Sequence, residues 1–241
     1  MVAFTGAGIS TESGIPDYRG PNGVWARNAA PTRANLRTDA DSQRAYWADR
    51  RQRYPELVAK APNAGHRALV HFAESGLLLA TITQNIDGLH QKAGLSPDRV
   101  IELHGTAHRV RCLDCGRVYP AAEIQHRQEM GEAEPRCEVC GGPLRSATVL
   151  FGESLPPEAL RRAFAAAQSA DLLLVVGSSL VVNPAARIPV AAKQAGAALA
   201  IINRTLTPLD TLADARLWTE AGPTLDALAQ RVLGEGLMAE D

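Results

Sequence analysis

The stretch Val2-Ala3-Phe4-Thr5-Gly6-Ala7-Gly8-Ile9-Ser10 reads as a short apolar strand that runs into a glycine turn and then a helix. Gly6 and Gly8 carry no Cβ, so backbone there can approach a ligand closely, and the amides that open the helix favour a pyrophosphate. The run departs from the dinucleotide pattern GxGxxG because Thr11 stands where the third glycine would be. A glycine turn that holds no ligand fits the same residues.

Working outward, apolar runs at Leu77 to Thr83, Asp171 to Val176 and Ala197 to Ile202 each end at polar or glycine-containing segments. Alanine-rich, helix-like stretches lie at Ala64 to Ser75, Pro157 to Ser169 and Ala185 to Ala195. Strands alternating with helices imply right-handed crossovers and a mostly parallel sheet covered on both faces, an α/β, Rossmann-like fold. Two regions break the rhythm, Arg27 to Ala61 and the cysteine-bearing Thr106 to Arg145. The expected division is therefore a sheet domain of 1–26, 62–105 and 146–241, with a smaller discontinuous domain of 27–61 and 106–145.

The chain of 241 residues has 46% hydrophobic and 21% charged content, ordinary for a soluble enzyme. No run approaches the roughly 20 apolar residues that cross a bilayer, and no signal-peptide pattern opens the chain, so a cytoplasmic location is expected. A formal net charge of -1 gives no general attraction to nucleic acid or to an anionic membrane, and neither is expected as a partner. Cys112, Cys115, Cys137 and Cys140 form two CxxC pairs with 21 residues between Cys115 and Cys137. In a reducing compartment this spacing points to one structural zinc in a closed four-thiolate shell rather than to two disulfides.

Of the six histidines, His104 stands out because it follows the apolar Val100-Ile101 and precedes Gly105, which puts an imidazole at a strand end where a general base is useful. Asn85 and Asp87 lie two apart after a strand, so extended geometry projects them to one side, where an amide and an acid could bind a carboxamide and a ribose. An Asx turn accounts for them equally well. Asn203 ends another strand, as either a ligand contact or a turn former.

Read together, these segments resemble the sirtuin family. The resemblance runs through Gly6 to Gly20, Thr83-Gln84-Asn85-Ile86-Asp87-Gly88-Leu89-His90, Glu102-Leu103-His104-Gly105, the cysteine pairs, Leu150-Phe151-Gly152-Glu153, Gly177 to Pro184 and Ile201-Ile202-Asn203-Arg204, in the family's order. It implies an NAD-dependent protein-lysine deacylase in which the acyl oxygen attacks C1′ of the nicotinamide ribose, nicotinamide leaves, and O-acyl-ADP-ribose is released. His104 is implied as the general base, with Asn85 as its catalytic companion. NAD contacts are implied at Gly6, Ala7, Gly8, Ile9, Glu12, Asp17, Tyr18, Arg19 and Trp25, at Gln84, Asn85, Ile86, Asp87 and His104, and at Gly177, Ser178, Ser179, Asn203, Arg204 and Ala221. An acyl-lysine peptide is implied to add as a strand along Val149, Leu150, Phe151 and Gly152 and along Val181 and Val182. The segment Gly14 to Gly23 is implied as a lid, with Tyr18 over the nicotinamide where many members have phenylalanine.

Three departures qualify the resemblance. Ser146 to Phe151 lacks the proline that commonly stands near its start and the aromatic that stands where Leu150 is. Members usually carry a helix before the first strand, where this chain has only Met1, so its start is expected to lie late relative to theirs. The succinyl-removing branch places Tyr and Arg three apart, whereas the residue three after Tyr46 is Asp49, which would repel a carboxylate; Arg50 or Arg51 could substitute, or could form a solvated basic face. Neutral acyl groups are therefore expected, and Tyr46-Trp47-Ala48 with Ile15 to Arg19 looks more like the mitochondrial lipoamidase-type branch. Competing readings are a mono-ADP-ribosyltransferase, which uses the same C1′ chemistry, a non-catalytic NAD sensor, and a dehydrogenase, for which the missing third glycine is a poor fit.

Overall fold

The computed structural model describes residues 1–17 and 39–234. Its main sheet contains β1 (Val2–Thr5), β2 (Ala80–Thr83), β3 (Val100–Glu102), β7 (Leu172–Val176), β8 (Ala198–Ile202) and β9 (Ala215–Leu217) in the order β3-β2-β1-β7-β8-β9. All five pairings are parallel. The side-chain alternation of a strand decides which layer each residue joins. Val2 and Phe4 pack with Leu173, Val175, Leu199 and Ile201 under α5 (Pro157–Gln168) and α6 (Arg187–Gln194). Ala3, Leu174, Val176 and Ile202 pack on the opposite face against α2 (Ala64–Glu74) and α7 (Ala221–Leu233).

The second sheet is antiparallel, with order β5-β4-β6, from β4 (Gly105–Cys112), β5 (Val118–Pro120) and β6 (Leu144–Thr148). Helices α1 (Ala40–Val58) and α4 (Ala121–Glu129) cover it, and Trp47, Tyr54, Val110, Ile124 and Leu144 form its core with Cys112 and Cys137. Asp39 opens α1 by accepting from the amides of Asp41 and Ser42, an N-cap.

The helix expected after the glycine turn is a 3-10 helix, Ala7–Ser13, closed by Gly14 at φ 77°. A short helix α3 (Leu89–Lys92) follows the loop after β2. Among the described residues no helix is long and apolar enough to cross a membrane.

Candidate active site

The order in which strands are added reverses between β1 and β7: β2 and β3 are added on one side of β1, β8 and β9 on the far side of β7. Such a switch point opens a crevice at the carboxyl ends of the strands. Here both ends carry glycines. A Cβ on Gly6 would lie 2.7 Å from the Gly177 carbonyl oxygen, one on Gly8 2.6 Å from the Gly177 Cα, and one on Gly177 2.4 Å from the Ile9 nitrogen. The glycines are thus required by the approach of two backbone loops to each other, a reason the sequence reading did not contain. The Gly8 amide donates to the Gly177 carbonyl and the Ile9 amide to Gly6, at 2.8 and 3.1 Å. These two amides at the start of the 3-10 helix are therefore committed within the protein.

A cavity of about 360 Å³ occupies the crevice. His104 lines it, two residues beyond the end of β3 and one before β4. Its Nδ1 lies 2.7 Å from the Gln84 carbonyl oxygen. A carbonyl only accepts, so Nδ1 carries the proton and Nε2 keeps its lone pair. Burial lowers the imidazole pKa below its ordinary value, against the opposing effect of the Gln84 bond, so the ring is neutral at pH 7. Gln84 in turn donates from Nε2 to Ser178 Oγ at 2.7 Å, tying the loop after β2 to the loop after β7.

Asn85 and Asp87 converge on one hydroxyl. Asn85 Nδ2 donates to Ser10 Oγ and to the Gly6 carbonyl, both at 3.1 Å, and Ser10 Oγ donates to Asp87 Oδ2 at 2.7 Å. Asn85 therefore forms no Asx turn, whereas Asp87 does, its Oδ1 accepting from the Leu89 amide at 3.0 Å. Burial raises the Asp87 carboxyl above its ordinary pKa, while the bonds from Leu89 and Ser10 pull it down. Asn203 also combines both expectations: Nδ2 donates to the Thr205 carbonyl at 2.8 Å, a turn, and the residue lines the cavity.

The cavity wall brings together most of the residues singled out in the sequence: Gly6, Ala7, Gly8 and Asp17; Gln84, Asn85, Ile86 and His104; Gly177, Ser178 and Ser179; Asn203, Arg204 and Ala221. Val149, Leu150, Phe151, Gly152 and Val182 extend it toward the second sheet. Four singled-out residues stand elsewhere. Ile9 is fully buried in the core, Asp87 lies behind the wall on Ser10, and Val181 is half exposed. Glu12 spends its carboxylate on the Gly222 amide at the start of α7, 3.0 Å away. Tyr18, Arg19 and Trp25 lie outside the described residues, as does most of the segment read as a lid. Sequence reasoning missed Ser10, Thr11, Thr148 and Glu153, of which the last three line the cavity. Thr11 was noticed only as a missing glycine.

In α1, Asp49 points outward to pair with Arg53 at 2.7 Å. Arg50 is not on a solvated face: it is 6% exposed, its guanidinium stacks 4.5 Å from the Tyr54 ring, and its Nε donates to Ser146 Oγ at 3.0 Å. Tyr46 bonds the same serine twice, donating to Oγ and accepting from the amide, both at 2.9 Å.

The four cysteine sulfurs lie within 4.8 Å of one another, with Cys112 and Cys140 3.5 Å apart and Cys115 and Cys137 3.6 Å apart. A tetrahedral zinc with bonds of about 2.3 Å needs sulfurs about 3.8 Å apart, so the donor set fits that ion. The Tyr119 hydroxyl accepts from the Glu138 amide at 3.1 Å and lies 3.2 Å from Cys137 Sγ.

The family model described as Sir2 family matches residues 6–184. The chain is 44% identical over 234 residues to an NAD-dependent protein deacetylase of Thermodesulfovibrio yellowstonii, covering 97% of this chain and 91% of the relative. It superposes on a Sir2 structure with a p53 peptide and NAD+ at a TM-score of 0.83, with 36% identity, 99% of this chain and 93% of the other covered. A Sir2 structure with deacetylated p53 peptide and 3′-O-acetyl ADP ribose gives a TM-score of 0.79 and 37% identity, with 98% and 93% covered. With a switch-point crevice, a four-sulfur cluster and a histidine of fixed tautomer already in place, these similarities establish that the chain belongs to the Sir2 family.

Proposed function

We propose that the protein is an NAD-dependent protein-lysine deacetylase, which consumes NAD as cosubstrate and releases nicotinamide and O-acyl-ADP-ribose. The observation that carries this reading is His104, neutral, with Nδ1 committed to Gln84 and Nε2 left as an acceptor in a cavity that also contains Asn85 and the two glycine loops. NAD supplies the ribose carbon that accepts the acyl oxygen and the ribose hydroxyl that later takes the acyl group. His104 Nε2 takes the proton from that hydroxyl, and the Gln84 carbonyl holds the ring in the required tautomer and steadies it when it is charged. Asn85, fixed through Nδ2, presents its side-chain carbonyl as the group that orients the nicotinamide end. Ser178, Ser179 and Asn203 hold the phosphate and adenosine end, with Arg204 and Ala221 at its rim. Glu12 acts at one remove by holding the start of α7, next to Ala221.

The peptide enters between the two sheets along Val149 to Gly152 and Val182. Acetyl is the first acyl group to expect, because the relative from Thermodesulfovibrio yellowstonii is named a deacetylase. Asp49, paired with Arg53, offers a carboxylate no partner, whereas Arg50 Nη1 and Nη2 are buried without hydrogen-bond partners among the described residues, so an acidic acyl group is the alternative that the succinyl peptide tests. The cysteine cluster holds one zinc that serves folding and takes no part in the chemistry. A cytoplasmic location accords with four cysteines that form no disulfide and gather as a metal-compatible cluster.

The test is nicotinamide release from NAD with acetyl-, succinyl- and lipoyl-lysine peptides. Release should require an acyl peptide, be fastest with acetyl, and fall by about 10² to 10⁴ in kcat for His104→Ala, the range for loss of a general base. Release without any acyl-lysine would favour ADP-ribosyl transfer, and NAD binding without release would favour a sensor.

A further inference from the structure

A largely buried polar clamp outside the chemistry lies where β6 leads into the cavity wall. Arg145 and Glu153 form a two-pronged ion pair, Nη1 to Oε1 and Nη2 to Oε2, both at 2.9 Å, with side chains only 4% and 18% exposed. Each partner also holds backbone. Arg145 Nη2 donates to the Thr148 carbonyl at 3.2 Å, and Glu153 Oε2 accepts from the Leu150 amide at 3.0 Å. The Glu153 amide closes a turn on the Leu150 carbonyl at 3.0 Å, with Gly152 at φ 84° supplying the left-handed residue. Phe151 sits at the turn's corner, 43% exposed and on the cavity wall.

A buried ion pair adds little net stability compared with an apolar pair of the same volume. What a two-pronged pair adds is geometry, because both planes and both distances are fixed together. The geometry fixed here is that of Val149 to Gly152, tethered at its other end by the Val149 amide, which donates to the His104 carbonyl at 2.8 Å. One short segment is thus held between the reacting histidine's own backbone and the ion pair.

We infer that Arg145 and Glu153 are positioning residues for the acyl-lysine substrate: through their pairing they present the Val149 to Gly152 segment, with Phe151 at its corner, to the incoming peptide. This rests on the deacetylase reading of the site. Neither residue needs to touch the reacting atoms. Loosening the clamp weakens the peptide's hold more than that of NAD, most of whose contacts come from the loops after β1, β2, β7 and β8.

The experiment measures steady-state constants for an acetyl-lysine peptide and for NAD, and peptide affinity by fluorescence anisotropy, which does not depend on turnover. Glu153→Gln keeps the volume and loses the charge; Arg145→Lys keeps the charge and loses the fork. Each should raise peptide KM and Kd by about tenfold, the effect of losing one charge-assisted hydrogen bond, with the KM for NAD within about twofold. The double variant should be no worse than the poorer single one, because the two residues act as one device. Unchanged peptide constants in folded variants, or peptide and NAD constants rising together, would overturn the inference. A wild-type protein that binds and deacetylates no acyl peptide would instead remove the reading of the site on which it rests.

Discussion

In the main sheet, alternate residues of β1 face two separate apolar layers, Val2 and Phe4 toward α5 and α6, Ala3 toward α2 and α7. In the antiparallel sheet the core contains Cys112 and Cys137, two members of the four-sulfur cluster, among its buried side chains. The first region is held by area removed from water and sustains itself without a ligand. The second has a smaller apolar core and a four-sulfur cluster that fits zinc, so it is expected to lean on a cross-link. The comparison is therefore between a body with two large apolar layers and a module whose small core is joined to a metal-compatible cysteine cluster, and residues of both line the crevice.

Removing the metal is the most direct way to break this comparison. Cys112→Ser, or a strong chelator, should unfold 105–148 first, because structural zinc sites contribute on the order of 10 kcal/mol. Hydrogen exchange should show protection lost in β4 and β6 and kept in β1 and β7. Equal loss in both regions, or none in either, would show that the two are not held differently.

Acid sharpens the comparison from the other side. His66 lies in α2, fully buried, its ring 5.0 Å from that of His90, which bonds Thr5 at 2.9 Å. Burial first, and then the charge of Arg67, lower its pKa from 6.5 to about 4. Between pH 6.5 and 4 the unfolded chain takes up a proton that the folded chain refuses, so stability is lost as pH falls through this window. It is unaffected by this group above 6.5 and loses nothing further below about 4. The shift corresponds to roughly 3 kcal/mol. Urea midpoints followed in α2 should fall accordingly, and His66→Gln should flatten the slope; a parallel slope in the variant would refute the assignment.

The smallest effect concerns the seam between α1 and β6. Ser146→Pro removes the amide that Tyr46 accepts from and the hydroxyl shared by Tyr46 and Arg50. It should cost about 1 to 3 kcal/mol, confined to the antiparallel module and read from its thermal melt. An equal fall in main-sheet stability would show the two regions to be coupled more tightly than their cores indicate.

Strands β1, β2, β7 and β8 were legible because buried parallel strands are continuous apolar runs bounded by glycine or polar residues. β9 was not, since Ala215, Arg216 and Leu217 are all exposed and leave no such pattern. The glycines marked the correct loops for an incomplete reason: sequence shows that a Cβ is missing, but not whether a ligand or another loop takes its place. Motif blocks led to the cavity wall, yet the carboxylate of Glu12 is bonded to the Gly222 amide and that of Asp87 to Ser10 and Leu89. Ser10 was overlooked because a hydroxyl has no spacing that reveals which two distant side chains it will join. The departure at Ser146 likewise became intelligible only when Tyr46, a hundred residues away in sequence, was seen to use its amide.

The position of β1 at the centre of its sheet has a consequence for synthesis. Its partner β7 follows it by about 170 residues, Val2 pairing with Leu173 and Thr5 with Val176. At about 5 to 20 residues per second a ribosome needs roughly 10 to 35 s to make that stretch. For that time one edge of an apolar strand waits for its neighbour, so the growing chain is most in need of chaperone cover before β7 emerges.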